Sequence, residues 1–167
     1  VNPVRDKEIV DIELQIKDLE TVSNRIVKVE KQAQSGGDKH AKKVLDLLFR
    51  YKEVLEMGRN AREVVIENAE DAKIAKEFFL LTNKPVMYVC NVDEASAATG
   101  NAYVERVREA IKGEDAEILV IAAKIESEIA ELESFEEREI FLQEIGLKTS
   151  GVVRLIQSAY SLLNLHT

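Results

Sequence analysis

Apolar positions in the first part of the chain recur every three or four residues. Ile9, Ile12, Ile16 and Leu19, then Ser23, Ile26, Glu30 and Ala33, form a heptad-like stripe across residues 6–34. That alternation keeps one face of a helix turned toward a partner helix. Asp6 is a candidate N-cap, and Glu8 and Asp11 add negative charge to the opening turns, where the helix dipole favours it. Ser35-Gly36-Gly37-Asp38 interrupts the stripe. Glycine readily takes the left-handed conformation that ends a helix, and Asp38 can cap the next one. Ala41, Val44, Leu48, Tyr51 and Leu55 resume the spacing over residues 39–60. Two such helices joined by a short turn make an antiparallel hairpin. At about 1.5 Å per residue the first helix would reach roughly 40 Å, so the hairpin is expected to project.

The pattern then changes. Asn68 and Asp71 open a short helix expected at 69–80. Val86-Met87-Tyr88-Val89-Cys90, behind Pro85, is a short apolar run of the kind found in buried strands. Asn101 caps a helix expected at 102–112, closed by Gly113, and Ile118-Leu119-Val120-Ile121-Ala122 reads as a second buried strand. Strand, helix and strand in close succession predict a βαβ unit with parallel strands. Ile125, Ile129 and Leu132 indicate a short helix, and Ser134-Phe135-Glu136-Glu137 is a capping box for another. A last helix, 150–163, would turn Val153, Ile156, Ala159, Tyr160 and Leu163 inward.

Composition adds limits. Seven glycines, two prolines and 32% charged residues in 167 favour long helices, and 46% apolar content is too high for disorder. No apolar run approaches the roughly 18 residues of a membrane span. The chain opens on a charged segment rather than a signal peptide. A single cysteine, Cys90, excludes an internal disulfide and fits a reducing, cytoplasmic compartment. The net charge of −8 argues against a protein that coats nucleic acid along its whole length. It is unevenly spread, however. Residues 114–139 alone carry ten acids against Lys124 and Arg138, while residues 1–80 are almost neutral. Near the expected hairpin tip lie Lys28, Lys31, Lys39, Lys42 and Lys43. They are either the soluble end of a coil or a contact for RNA phosphates.

In an open parallel sheet, ligands bind at the carboxyl ends of the strands. Here those ends lead into Asn91-Val92-Asp93-Glu94 and Ala122-Ala123-Lys124. An amide offers a donor and an acceptor, and a carboxylate accepts from ring or exocyclic N–H groups, so Asn91 and Glu94 can read a purine edge. The small Ala122-Ala123 pair would let backbone N–H groups approach a base closely. The plainer alternative is a turn with an Asn cap. Cys90 reads as a small buried strand residue, and His40 and His166 stand alone without metal-ligand spacing. Glu126, Glu128, Glu131 and Glu133 read as a solvated helix face rather than a metal site.

Several strings resemble one family. Leu80-Leu81-Thr82-Asn83-Lys84-Pro85-Val86-Met87-Tyr88-Val89-Cys90-Asn91-Val92-Asp93-Glu94 is strongly similar to the YchF family of Obg-like P-loop ATPases. Asn101-Ala102-Tyr103-Val104, Ala123-Lys124-Ile125-Glu126-Ser127-Glu128 and Ser150-Gly151-Val152-Val153-Arg154 resemble its later signatures, and Asn2-Pro3-Val4-Arg5-Asp6 its lead into a helical hairpin. The resemblance implies a helix-dominated α/β chain: an antiparallel coiled-coil hairpin with a linker helix (1–80), then the C-terminal βαβ part of a P-loop NTPase domain (81–167). It implies Asn91, Val92, Glu94, Ala122 and Ala123 as base-binding residues. Asn-x-x-Glu stands where most related GTPases have Asn-Lys-x-Asp, and it implies ATP in preference to GTP. Ala122 replaces a serine of the family's loop. The resemblance also implies a translation, ribosome or stress role for the full-length parent, with hydrolysis of ATP or GTP and Mg²⁺.

No Gly-x-x-x-x-Gly-Lys-Ser/Thr string occurs in the chain. Phosphoryl transfer depends on positioning and charge stabilisation at the phosphates, so this chain alone is expected to be inactive, with no catalytic residue, no metal ligand and no cofactor bound in isolation. The alternative is a stand-alone helical hairpin that binds RNA or protein without nucleotide chemistry. A two-stranded sheet leaves edges open, so the chain is also expected to self-associate or to be marginally folded.

Overall fold

The computed structural model describes residues 1–34 and 38–165. The expected turn at Ser35-Gly36-Gly37, the Ala33 side chain and His166 lie outside the described residues. Among the described residues, seven α-helices and two strands follow in the order α1 (Pro3–Gln34), α2 (Lys39–Glu56), α3 (Ala69–Lys76), β1 (Val86–Asn91), α4 (Ala102–Ala110), β2 (Ala116–Ile121), α5 (Ala123–Glu131), α6 (Phe135–Glu144) and α7 (Gly151–Leu162). Two compact units result: Arg5–Lys84, and Pro85–Thr167 together with Val1–Val4.

In the first unit, α1 begins three residues earlier than expected. Pro3 takes its first position, where the missing N–H costs nothing, and Asp6 lies in the first turn instead of capping it. Asp38 caps α2 by accepting from the backbone N–H groups of His40 and Ala41. Ala41, Val44, Leu48, Tyr51 and Leu55 of α2 are all buried, with Leu47 beside them. Val22, Ile26 and Val29 of α1 join them in one cluster, which Ile74, Ala75, Phe78 and Leu80 complete. Tyr51 meets Phe78 edge to face at 5.6 Å between ring centres, a favourable arrangement of ring quadrupoles.

The first half of α1 does not bury the stripe its isoleucines predict, whereas Ile26 of that stripe is buried and Leu19 packs against the core as expected. Ile9, Ile12 and Ile16 are each more than half exposed. The buried positions are Gln15, Asp18, Val22, Ile26 and Val29, a 3/4 series rotated around the helix. Two of its members are polar because they have partners. Gln15 Nε2 donates to Asn60 Oδ1 at 2.9 Å. Asp18 accepts from the backbone N–H of Leu81 and of Thr82 and from the Thr82 hydroxyl, each at 2.7 Å. Thr82 Oγ1 in turn accepts from the Ala61 N–H at 2.9 Å. This hydrogen bonding fixes which face of α1 turns inward.

In the second unit, β1 and β2 pair in parallel, with Val86 opposite Ala116 and Asn91 opposite Ile121. The strands were expected to be buried, yet only Leu119 is, and Val89 is 43% exposed. With two strands, each is an edge, and α7 is the helix with the most extensive contact to the pair. The expected inward face of α7 is also corrected: Val153, Ile156, Tyr160 and Leu163 are exposed. Asn101 caps α4, and Ser134 and Glu137 form the expected capping box of α6. Ala97, Ala122, Ile125 and Ile129 form a small buried cluster with Val92 packed against it, and Val92 and Ala122 directly follow the two strands.

Candidate functional site

The parallel register brings both strands to an end at the same level, at Asn91 and Ile121. The loops that follow are therefore neighbours. The Val92 N–H donates to the Ile121 carbonyl at 2.8 Å, continuing the ladder one step past the sheet. Across this step Asn91 Oδ1 accepts from the Ala123 backbone N–H at 3.0 Å. A second link follows: Lys124 Nζ is 3.2 Å from Glu94 Oε2 and 3.7 Å from Glu128 Oε1. The Glu94 carboxylate holds the Lys124 ammonium above its ordinary pKa, so the lysine is charged at neutral pH.

These contacts occupy several of the groups singled out from sequence. Asn91 spends its carbonyl oxygen on Ala123, which leaves its side-chain N–H₂ as the group free to donate. The Ala123 N–H is committed to Asn91 and is not spare for a ligand. Val92 is partly buried against the cluster that contains Ala122 and Ile125, while Ala122 is buried as the N-cap of α5 and makes no side-chain capping bond. Asn91 and Glu94 remain on the exposed side of the two loops. Glu94 opens a short 3-10 turn, Glu94–Ser96, and the Asp93 side chain accepts from the Ser96 N–H.

No family model matches the chain. Over its full length it is 45% identical to the ribosome-binding ATPase YchF of Bacillus subtilis (strain 168), and the match spans 45% of that protein. The ribosome-binding ATPase YchF of Escherichia coli O157:H7 is 40% identical, again over the whole chain and 45% of its own length.

The chain belongs to the YchF family.

It spans less than half the length of the curated relatives it matches. Obg-like ATPase 1 of Rattus norvegicus is 32% identical over 99% of the chain and 42% of that relative. The fold agrees with that of the Schizosaccharomyces pombe YchF GTPase, at a TM-score of 0.87 and 23% identity, covering 98% of this chain and 45% of that one.

Of the five lysines considered for phosphate contact in this YchF-family chain, Lys28, Lys31, Lys39 and Lys42 are exposed. Lys43 differs: its ammonium lies 2.6 Å from Glu70 and 3.2 Å from Asp71, and these acids raise its pKa. Much of its charge is already neutralised. Among the described residues, no group of three or more His, Cys, Asp or Glu side chains is arranged to hold a metal ion, and no helix is long and apolar enough to cross a membrane.

Sequence reasoning missed Glu126. It reads as one acid on a solvated face, but its carboxylate accepts from the backbone N–H of Gly151 at 2.6 Å and of Val152 at 3.1 Å. With Ser150 accepting from Val153 at 3.3 Å, the free N–H groups of α7 are satisfied, and a negative charge sits at the positive end of the helix. Arg154 of α7 also donates to the Val120 carbonyl of β2 at 3.0 Å. Gly151 was the available signal. A β-carbon there would lie 2.7 Å from both Glu126 Oε1 and Ile121 Cγ2.

Proposed function

We propose that residues 91–94, at the end of β1, and 122–124, at the start of α5, form the base-reading edge of a purine nucleotide site, and that the full-length parent is a nucleotide-hydrolysing protein acting with ATP or GTP and Mg²⁺. The observation that carries the reading is the bond from the Ala123 N–H to Asn91 Oδ1. It turns the Asn91 side chain into a fixed donor, fit for a purine ring nitrogen, beside a carboxylate fit for an exocyclic amine. The donor set available suits a base and not phosphates, because the chain has no phosphate-cradling glycine loop. No Mg²⁺ ligand is assigned to it. When present in the parent, the metal would neutralise phosphate charge.

The names of the bacterial relatives add a ribosomal partner. In this reading α1 and α2 form an antiparallel coiled-coil hairpin, and Lys28, Lys31, Lys39 and Lys42 are its RNA-facing charges in the cytoplasm. Lys43 is set apart by its ion pairs.

The test is a titration of the isotopically labelled chain with ATP, followed at the Asn91 side-chain amide and the Ala123 N–H. The expected result is weak, millimolar binding that perturbs those signals and is lost in Asn91→Ala. Binding with no perturbation at either residue overturns the reading.

A further inference from the structure

Lys124 lies between two carboxylates and beside the Asn91–Ala123 link, in the first turn of α5. Its position matters because of how purines differ. Guanine presents two adjacent donors, the ring N1–H and the exocyclic N2–H₂, and a free carboxylate can accept both at once with its two oxygens. Adenine presents one exocyclic amine, N6–H₂, flanked by ring acceptors. One oxygen suffices for that amine, and a neighbouring donor suits a flanking ring nitrogen.

In this chain the two oxygens of Glu94 are not equivalent. Oε2 is the one that Lys124 Nζ holds, at 3.2 Å. That leaves Oε1 as the unshared acceptor, with a cationic donor next to it. We infer that Lys124 is a specificity-determining residue: by occupying one oxygen of Glu94 it converts a two-acceptor edge suited to guanine into an acceptor–donor edge suited to adenine. Glu128, on the other side of the lysine, moderates this by drawing the ammonium away from Glu94. The inference rests on the base-reading role proposed above for Asn91 and Glu94.

Lys124 and Glu94 are both largely solvent-exposed, with side chains 74% and 53% accessible. The ion pair therefore contributes little to folding, and replacing the lysine leaves the fold intact. Lys124→Met keeps the aliphatic stem and removes the ammonium. The experiment compares ADP with GDP, whose phosphates are identical, so the ratio of their dissociation constants reports the base alone. Titrations of the full chain are followed at the Asn91 and Ala123 signals.

Wild type is expected to favour ADP. Lys124→Met is expected to shift the ratio toward GDP by about tenfold, the scale of one bidentate base contact. Glu128→Gln, which releases the lysine to Glu94, shifts it the other way. Lys124→Arg keeps a charged donor on Glu94 and retains the preference for ADP. An unchanged ratio in Lys124→Met, with both nucleotides still perturbing Asn91, overturns the role of Lys124 and leaves the base-reading site standing. If neither nucleotide perturbs Asn91 or Ala123 in the wild-type chain, both readings fall together.

Discussion

Asp18 and Thr82, sixty-four residues apart, are joined twice: one carboxylate oxygen of Asp18 accepts both the backbone N–H and the hydroxyl of Thr82 at 2.7 Å. Both residues are almost wholly buried. The Asp18→Ala change strands the donors of Leu81 and Thr82. It is expected to destabilise the chain by about 3 kcal/mol, within the range for breaking a buried charged contact. Thr82→Val retains the backbone link but leaves the Ala61 N–H without its acceptor, at about 1–2 kcal/mol. A double-mutant cycle by urea denaturation checks both values. The two changes should be non-additive, since they share one network. Additive losses would mean the residues act independently.

The same pair explains the most consequential misreading of the sequence. Two 3/4 series run along α1, one through Ile9, Ile12 and Ile16 and one through Gln15, Asp18 and Val22. Hydrophobicity alone selects the first. The second is buried because Asn60, Leu81 and Thr82 satisfy its polar members, and those partners are too distant in sequence for periodicity to reveal. Local signals fared better. The caps at Asp38, Asn68, Asn101 and Ser134 involve bonds within three residues and were legible. The two strands and their order were legible from short apolar runs, but their exposure was not, because burial depends on what packs against them. At the site, the loop positions could be read. The Asn91–Ala123 bond and the carboxylate clamp of Glu126 required the fold.

Phe79 adopts φ of +53° and is 80% exposed. A residue with a β-carbon pays about 1–2 kcal/mol in that region, and Phe79 recovers little through burial. Asparagine tolerates the conformation better. Phe79→Asn is therefore expected to stabilise the chain by about 1 kcal/mol, seen as a higher thermal midpoint. A lower midpoint would show that the exposed ring makes a contribution that its surroundings do not reveal.

Gly151 packs where no side chain fits. Gly151→Ala must push apart the Glu126 carboxylate and Ile121, and overpacking of this kind costs about 1–3 kcal/mol. Amide exchange should quicken in α7 above all. Glu126→Gln keeps an acceptor but removes the charge from the helix terminus, so a smaller loss is expected, about 0.5–1 kcal/mol. Equal losses from the two variants would argue against a steric requirement at Gly151.

Burial pushes the Cys90 thiol above its ordinary pKa, with Arg108 opposing the shift. Alkylation proceeds through the thiolate. At any pH below the raised value, less thiolate is present than for a free cysteine, so the reaction should be slower and its pH midpoint higher. A rate profile with iodoacetamide from neutral to alkaline pH tests this. A midpoint at or below that of free cysteine would contradict it.

The strand register has a bearing on how this segment can vary. Every residue of β1 stands opposite the residue thirty positions later in β2. That offset is spanned by a crossover that includes α4, and the crossover can gain or lose residues in its loops while the strands stay level. The strands themselves have no such freedom. Removing one residue inside β1 would turn Asn91 to the opposite face of the sheet and detach it from Ala123. Lineages and engineered versions of this segment should accordingly show length polymorphism on either side of α4 and none between Val86 and Asn91.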